Sequence, residues 1–129
     1  MDMDIRCLLV DDFDAVRLSL RSCLKSIGIS RIDEATNGAT GLEKIEKAFA
    51  AGESYNLIFC DWNMPVMSGI DMLRACKANE FFAKIPIIMV TSEANKAAII
   101  EAIKCGASDY IVKPFNAQTV SRKITKVMG

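Results

Sequence analysis

Four short apolar runs constrain the fold of this chain more than any other feature. A strand that is covered on both faces reads as a continuous apolar run, whereas a half-exposed strand alternates apolar and polar residues. We therefore interpret each run as a buried strand of a parallel sheet, and a polar-flanked fifth segment as a further strand. The runs are Cys7–Val10, Leu57–Cys60, Ile87–Val90 and Tyr110–Val112, and the fifth segment is Arg31–Ala35.

Amphipathic helical patterns lie between the runs. Apolar residues recur there at steps of three and four, which is the spacing of one helix face. Strict alternation of strands and helices implies right-handed crossovers and a doubly wound sheet. We predict a single α/β domain over residues 1–129, with a five-stranded parallel sheet, five helices and no output domain. The clearest helix faces are Val16, Leu20, Cys23, Leu24 and Ile27; Ile99, Ile100 and Ile103; and Val120, Ile124 and Val127, and Gly28, Gly52 and Gly106 stand where helices should end.

Composition removes several classes of function. The chain carries 16 basic and 16 acidic side chains, so no net field favours nucleic acid or anionic lipid. No apolar run approaches the ~20 residues of a membrane span, and the N-terminus does not resemble a secretory signal. We expect a cytoplasmic monomer that binds neither nucleic acid nor membrane.

Histidine is absent from the sequence, which excludes Ser-His and Cys-His catalysis and the usual zinc sites. The five cysteines form no CxxC pair, so we predict reduced thiols in the core rather than a disulfide framework. Chemistry in this chain must therefore use carboxylates, hydroxyls, lysine and a hard metal ion.

Polar residues follow four of the predicted strands. Asp11 and Asp12 follow the first apolar run, Asp61 the second, Thr91 the third and Lys113 the fourth. The carboxyl ends of parallel strands share one edge of the sheet, and ligands bind in the crevice outside that edge. We therefore expect these side chains to converge.

Their combination favours metal-assisted phosphoryl transfer. Three close carboxylates repel one another by about 4 kcal/mol per pair at an effective dielectric of about 20, so they favour a small hard cation such as Mg²⁺. A lysine ammonium and a threonine hydroxyl suit the oxygens of a phosphoryl group. Asp61 is the best candidate for the nucleophile because it stands alone after a predicted central strand, whereas the adjacent Asp11 and Asp12 suit metal binding.

Each of these residues has a simpler interpretation when it is considered alone. The acid pair and Thr91 both precede predicted helices, where such residues commonly cap the first turn. Lys113 and the following proline suit a surface turn, and Tyr110 suits a half-buried core position. Asp61 is harder to explain in this way, because a carboxylate that ends a buried run needs a cation or a donor. The joint occurrence at one sheet edge favours a site over coincidence.

Four motifs carry a resemblance to a known family. The segments LLVDDF, CDWNMPVMSG, MVTSEA and GASDYIVKPF resemble the receiver domains of two-component response regulators, closest to the stand-alone chemotaxis regulators. The resemblance covers essentially the whole chain and implies a flavodoxin-like sheet in the strand order 2-1-3-4-5. It also implies that Asp61 accepts a phosphoryl group from a sensor histidine kinase. The Mg²⁺ ligands implied by the family are Asp11, Asp12, Asp61 and the backbone carbonyl of Asn63.

The resemblance implies roles for further residues. Thr91 and Lys113 would contact the phosphoryl group, and Tyr110 would turn inward when Thr91 moves. Asn63 and Glu93 would tune the phosphoryl lifetime. The partner surface implied by the family is Lys96, Ile99, Tyr110 and Lys123.

A phosphorylation-dependent signalling switch is the leading hypothesis. The chain would catalyse its own phosphorylation and dephosphorylation and change its affinity for a protein partner, with the flagellar motor switch as the expected target and a phosphatase as a further partner. A phosphorelay intermediate, or a receiver cut from a longer regulator, would use the same site. An aspartate-nucleophile phosphatase of the haloacid dehalogenase type would also use Mg²⁺ and lysine, but that family requires Asp-x-Asp and this chain has Asn63 in place of the second acid.

Overall fold

A parallel sheet forms the centre of the molecule. The computed structural model describes residues 4–92 and 96–129, and within them strands and helices alternate. The strands are β1 (Arg6–Val10), β2 (Arg31–Ala35), β3 (Leu57–Asp61), β4 (Ile87–Thr91) and β5 (Asp109–Val112). The helices are α1 (Asp14–Ser26), α2 (Gly38–Ala50), α3 (Gly69–Lys77), α4 (Lys96–Lys104) and α5 (Ala117–Met128). The strands lie side by side in the order β2-β1-β3-β4-β5, which confirms the predicted doubly wound fold.

Two apolar clusters cover the two faces of the sheet. All residues of β3 are buried, and they contribute alternately to both clusters because successive side chains of a strand point to opposite faces. Ile58 and Cys60 belong to the cluster under α2, α3 and α4, whereas Leu57 and Phe59 belong to the cluster under α1 and α5. A strand covered on both faces has no solvent side, which explains the continuous apolar run in its sequence.

The predicted apolar faces are confirmed for α1 and α5 and wrong for α4. In α4, Ile100 and Ile103 are 43% and 48% exposed, and the buried residue is Ala102. A small residue faces the sheet there because the rings of Trp62 and Tyr110 line the space beneath the helix. The buried residues of the other two helices are Leu20, Cys23 and Leu24 in α1 and Val120 and Ile124 in α5.

No helix within the described ranges is both long and apolar enough to cross a membrane.

The chain turns back after three helices at the glycines that the sequence suggested. Gly28, Gly52 and Gly106 have φ angles of 97°, 73° and 107°, in the left-handed region that glycine adopts without steric cost. At Gly106 a Cβ atom would also lie 2.8 Å from Lys77 Cγ. The predicted helix ends are therefore confirmed at these positions.

All five cysteines lie in the described part of the chain and carry free thiols. Four of them are buried and Cys105 is partly buried, so the prediction of core thiols is confirmed for four. Burial raises the pKa of Cys7 to about 12 and that of Cys76 to about 11. Such thiols stay protonated and unreactive near neutral pH.

Candidate functional site

Three acidic side chains and one lysine meet at the carboxyl edge of the sheet. Asp11 and Asp12 follow β1, Asp61 ends β3, and one carboxylate oxygen of each lies within 4.8 Å of the others. Lys113 follows β5, and its Nζ atom lies 3.2 Å from Asp11 Oδ2 and 3.2 Å from Asp61 Oδ1. The structure therefore brings these four predicted site residues together.

The turn between β1 and α1 holds the acid pair in place. The Asp11 amide donates to the Ala35 carbonyl on β2 at 3.0 Å, and the Asp11 carboxylate accepts from the Phe13 amide at 2.9 Å. The Arg17 guanidinium donates to the Asp11 carbonyl at 2.6 Å and to the Glu34 carboxylate at 2.9 Å. Sequence reasoning gave Glu34 no role, because nothing in its local pattern shows that β2 runs beside this turn.

Close backbone packing shapes the loop that follows Asp61. The Gly69 amide donates to the Trp62 carbonyl at 3.0 Å, and a Cβ atom at position 69 would lie 1.8 Å from the Asp61 carbonyl oxygen. Only glycine therefore allows α3 to begin so close to the acid. Val66 has a φ of 69°, which is unusual for a β-branched residue. Sequence reasoning assigned no role to Gly69 or Val66, and the serine before Gly69, which caps α3, was the only local signal.

The surroundings of Asp61 disfavour its charged form. Its side chain is buried, with 6% of the residue exposed. Burial and the neighbouring charge of Asp11 raise the pKa of Asp61, while the Lys113 ammonium and the Trp62 amide, which donates to Oδ1 at 2.9 Å, act in the opposite direction. One lysine shared between acids cannot neutralise the cluster, so negative charge remains in excess at this edge.

The donor set fits a small hard cation. Apart from the Lys113 ion pair, Asp11 Oδ2 and Asp12 Oδ1 are buried and accept no hydrogen bond from the residues that the structure describes. A buried acceptor without a donor is unfavourable, and a divalent cation would supply the missing partner. Oxygen donors alone suit Mg²⁺, whereas zinc prefers nitrogen and sulfur. Asp11, Asp12 and Asp61 could hold such an ion.

An open cleft lies beside the acid cluster. Asn63 and Thr91 line it with Asp61 and Lys113, and the rings of Phe13 and Trp62 form its apolar walls. Asn63 is exposed on the loop after β3, and Thr91 is half-buried at the end of β4. The cleft thus presents a carboxylate, an ammonium and a hydroxyl to one small volume, which would suit an anionic group with several oxygens once a cation offsets the charge of the acids.

The predicted partner residues lie on α4, β5 and α5. Lys96 is exposed at the start of α4. Ile99 and Tyr110 are partly buried and line a small cavity together with Thr91. Thr91 therefore borders both the cleft and this cavity, and it connects the two regions. Glu93, which we predicted to tune the phosphoryl lifetime, lies outside the described residues.

Asp109 is a buried acid that sequence reasoning missed. Its carboxylate lies 3.0 Å from the Nζ atom of Lys123 and 3.2 Å from that of Lys126, so Lys123 is not a free surface cation. Burial acts to raise the pKa of Asp109, but the Tyr110 amide and the two lysines outweigh it and lower the pKa below its usual value. The sequence signal was weak, because an acid before a short apolar run is common at the start of a strand.

Residues 7–125 match the family model described as the response regulator receiver domain. The chain therefore belongs to the receiver domains of two-component systems, a family in which an aspartate is phosphorylated. This result confirms the family that the four sequence motifs indicated.

Individual relatives place the chain close to chemotaxis regulators. The chemotaxis protein CheY of Pseudomonas aeruginosa is 39% identical over 123 residues, which are 95% of this chain and 95% of that protein. The structure of the chemotaxis response regulator CheY4 of Vibrio cholerae aligns with a TM-score of 0.84 and 30% identity over 95% of this chain and 98% of that one. A chain of the CheX-CheY-BeF3-Mg²⁺ complex from Borrelia burgdorferi aligns with a TM-score of 0.88 and 25% identity over 97% of this chain and 90% of that one.

Proposed function

We propose that this chain is a signalling switch that accepts a phosphoryl group on Asp61 and thereby changes its affinity for a partner protein. The position of Asp61 carries the proposal. A buried carboxylate ends the central strand 3.2 Å from the Lys113 ammonium, with two further acids close by and an open cleft in front of it. Titratable groups with such unbalanced surroundings are concentrated at reactive sites.

The phosphodonor in this proposal is the phosphohistidine of a sensor histidine kinase, as membership in two-component systems implies. A carboxylate oxygen of Asp61 attacks the phosphorus, a P–O bond forms, and the P–N bond to the donor imidazole breaks. The imidazole leaves with the electron pair and takes up a proton. Asp61 Oδ1 already accepts from the Trp62 amide and from Lys113, so we assign the attack to Oδ2.

The remaining residues of the site would stabilise the charge of the transferred group. Asp11, Asp12, Asp61 and the Asn63 carbonyl would hold Mg²⁺, which supplies positive charge against the phosphoryl oxygens when it is bound. Lys113 would move its contact from the Asp61 carboxylate to a phosphoryl oxygen. Attack of water on the same phosphorus would later restore Asp61, so the chain would catalyse both steps on itself.

The hydroxyl of Thr91 would connect the site to the partner surface. Thr91 would donate to a phosphoryl oxygen, and because it shares a cavity with Tyr110, its movement would make room for the Tyr110 ring to turn inward. The altered face would comprise α4, β5 and α5, with Lys96, Ile99 and Lys123 beside the ring.

Chemotaxis is the pathway that we propose for this switch. The relatives named as chemotaxis proteins support that role, and the complex of CheY with CheX from Borrelia burgdorferi supports action through protein contacts. We propose the flagellar motor switch as the target and a phosphatase as a second partner, both reached in the cytoplasm.

Intact-mass spectrometry after incubation with acetyl phosphate and Mg²⁺ tests the phosphorylation site. The wild type should gain the mass of one phosphoryl group, and Asp61→Asn should gain none. Asp71→Asn, at an exposed acid of α3, is the matched control and should behave as the wild type. An unchanged wild-type mass, or a gain that persists in Asp61→Asn, would contradict the assignment.

A separate binding experiment tests the partner. Beryllofluoride with Mg²⁺ mimics the phosphoryl group, so it should raise the affinity for a flagellar switch protein by about 10-fold, within the usual range of coupling between sites. If affinity is unchanged while the mass gain is normal, the chain is phosphorylated but acts on another target. Transfer of the phosphoryl group to a histidine phosphotransfer protein would then identify a phosphorelay intermediate.

A further inference from the structure

Asp109 joins two lysines of α5 to the outermost strand of the sheet. Asp109 is 4% exposed, and its carboxylate lies 3.0 Å from Lys123 Nζ and 3.2 Å from Lys126 Nζ. The Tyr110 amide donates to the same carboxylate at 2.8 Å. These donors fix the position of the carboxylate, and the carboxylate in turn fixes the position of the Lys123 ammonium, whose side chain is 20% exposed.

Lys123 also contacts the ring of Tyr110. Its Nζ atom lies 4.7 Å from the ring centroid, within the range of a cation–π interaction. Asp109 and Tyr110 are neighbours on a strand, so their side chains point to opposite faces of the sheet. Because β5 is an edge strand, the Lys123 side chain can reach the carboxylate on one face and the ring on the other.

The Tyr110 ring therefore has two possible surroundings, the Lys123 ammonium and the cavity beneath α4. On one side it has the ammonium of Lys123, and on the other it borders the cavity lined by Thr91, Trp62 and Ala102. A contact that exists in only one ring position favours that position by the free energy of the contact. The ammonium makes this contact only while it is held near the ring.

We propose that Asp109 and Lys123 form a latch that holds the Tyr110 ring in its position beside the Lys123 ammonium and thereby sets the resting position of the switch. Asp109 acts as a positioning residue, because it touches Lys123 rather than the cavity. The inference rests on the proposed function in one respect, namely that an inward Tyr110 is the active position. Weakening the latch should increase the inward population before any phosphorylation, and a ligand that draws the ring inward should have to break the same contact.

Three variants separate the latch from general stabilisation. Asp109→Asn removes the charge that holds Lys123, and Lys123→Met removes the ammonium but keeps most of the apolar stem. Lys126→Met is the matched control, because Lys126 pairs with the same carboxylate but is 70% exposed. Asp109→Asn and Lys123→Met should therefore change the position of the Tyr110 ring, and Lys126→Met should not.

The first readout is the Lys123 side chain itself. Ring current should shift the proton resonances of its ε-methylene upfield in the wild type and in Lys126→Met, and Asp109→Asn should lose most of that shift. This measurement needs no phosphoryl group, so it tests the latch even if the proposed function fails. An unchanged ε-methylene shift in Asp109→Asn would overturn the proposal.

The second readout is ¹⁹F NMR of protein labelled with 3-fluorotyrosine. The chain has two tyrosines, and the buried Tyr55 serves as an internal reference for correct folding. The Tyr110 resonance of Asp109→Asn and Lys123→Met should move toward its position in the beryllofluoride-bound wild type, with a rise in the inward population of about 5-fold or more. If beryllofluoride moves the wild-type resonance but neither variant does, the latch is refuted and the switch stands. If the variants move it and beryllofluoride does not, the latch stands and the proposed coupling of Tyr110 to phosphorylation is refuted.

Discussion

Asp61 and Asp109 are both buried carboxylates at strand ends of the same sheet, and both face a lysine, yet folding moves their pKa values in opposite directions. Burial acts to raise the pKa of each. At Asp61 the charge of Asp11 adds to this effect, and the two acids share Lys113. At Asp109 a backbone amide and two lysines outweigh burial, and the pKa falls.

The difference lies in the number of positive partners that each acid has. Asp109 has its own partners and is a structural ion pair of the fold. Asp61 has an incomplete set, so a cation or a phosphoryl group can still improve its surroundings. Burial alone therefore does not identify a reactive acid in this molecule, whereas an unbalanced local charge does.

Binding of Mg²⁺ beside Asp61 should have the largest effect on the free energy of unfolding. At a free Mg²⁺ concentration of about 100 times Kd, binding should add about 2.7 kcal/mol to the free energy of unfolding. Asp12→Ala should remove most of this gain, whereas Asp109→Asn should keep it because Asp109 is not a ligand. Urea unfolding with and without Mg²⁺ measures the difference. A gain of equal size in Asp12→Ala would show that the ion binds elsewhere.

Removing the charge of Asp109 should lower the free energy of unfolding by about 2 kcal/mol at pH 7, in the range of hydrogen bonds to charged groups. Because folding lowers this pKa, the contribution is full above the unfolded-state value of about 3.9 and is lost as the pH falls through the folded-state value. The difference between wild type and Asp109→Asn should therefore shrink below about pH 4. Chemical denaturation from pH 3 to 7 checks this, and a difference that is constant with pH would refute the ion-pair explanation.

Asp61→Asn should raise the free energy of unfolding, by about 1 kcal/mol at pH 7 without Mg²⁺. This effect is opposite in sign to that of Asp109→Asn and smaller. Folding raises the pKa of Asp61, so its contribution to stability is full below the unfolded-state value and is lost as the pH rises through the folded-state value. Asp61→Asn avoids that loss because the amide carries no charge. Its higher free energy of unfolding should therefore fall to the wild-type value in acid, where the wild-type side chain is protonated. The same denaturation series measures it, with Asp71→Asn as the control. A destabilised Asp61→Asn at pH 7 would show that the Lys113 contact outweighs burial and repulsion.

Lys126→Met should have the smallest effect, about 0.5 kcal/mol or less, because its side chain is 70% exposed and solvent screens its pairing. Lys123→Met should cost more, since the Lys123 side chain is 20% exposed and contacts a ring as well as the acid. Thermal unfolding of the two variants in the same buffer compares them. Equal losses would show that the ring contact adds nothing to stability.

The sheet and its reactive edge could be predicted from the sequence because both depend on local pattern and chain direction. Buried parallel strands read as apolar runs, and all their carboxyl ends lie at one edge. Asp11, Asp61 and Lys113 follow such runs, so their convergence at one edge of the sheet could be predicted without knowledge of tertiary distances. The strand order and the roles of individual residues required the family resemblance in addition.

The remaining features depend on contacts between distant segments, which no local pattern encodes. The α4 helix shows this, because its isoleucines suggested a buried face and the buried residue is Ala102, beneath which Tyr110 lines a cavity. Gly69 matters because a Cβ atom there would meet the Asp61 carbonyl, and Asp109 matters because α5 brings two lysines to it. These features become visible once the tertiary distances are known.

Replacement of Val66 offers a route to a more heat-tolerant protein. The residue is 86% exposed and its backbone is left-handed, so replacement by asparagine or glycine would relieve the conformation without loss of packing. The loop from β3 to α3 that carries Asn63 could in this way be made more heat-tolerant while every acid and the lysine of the site stay unaltered.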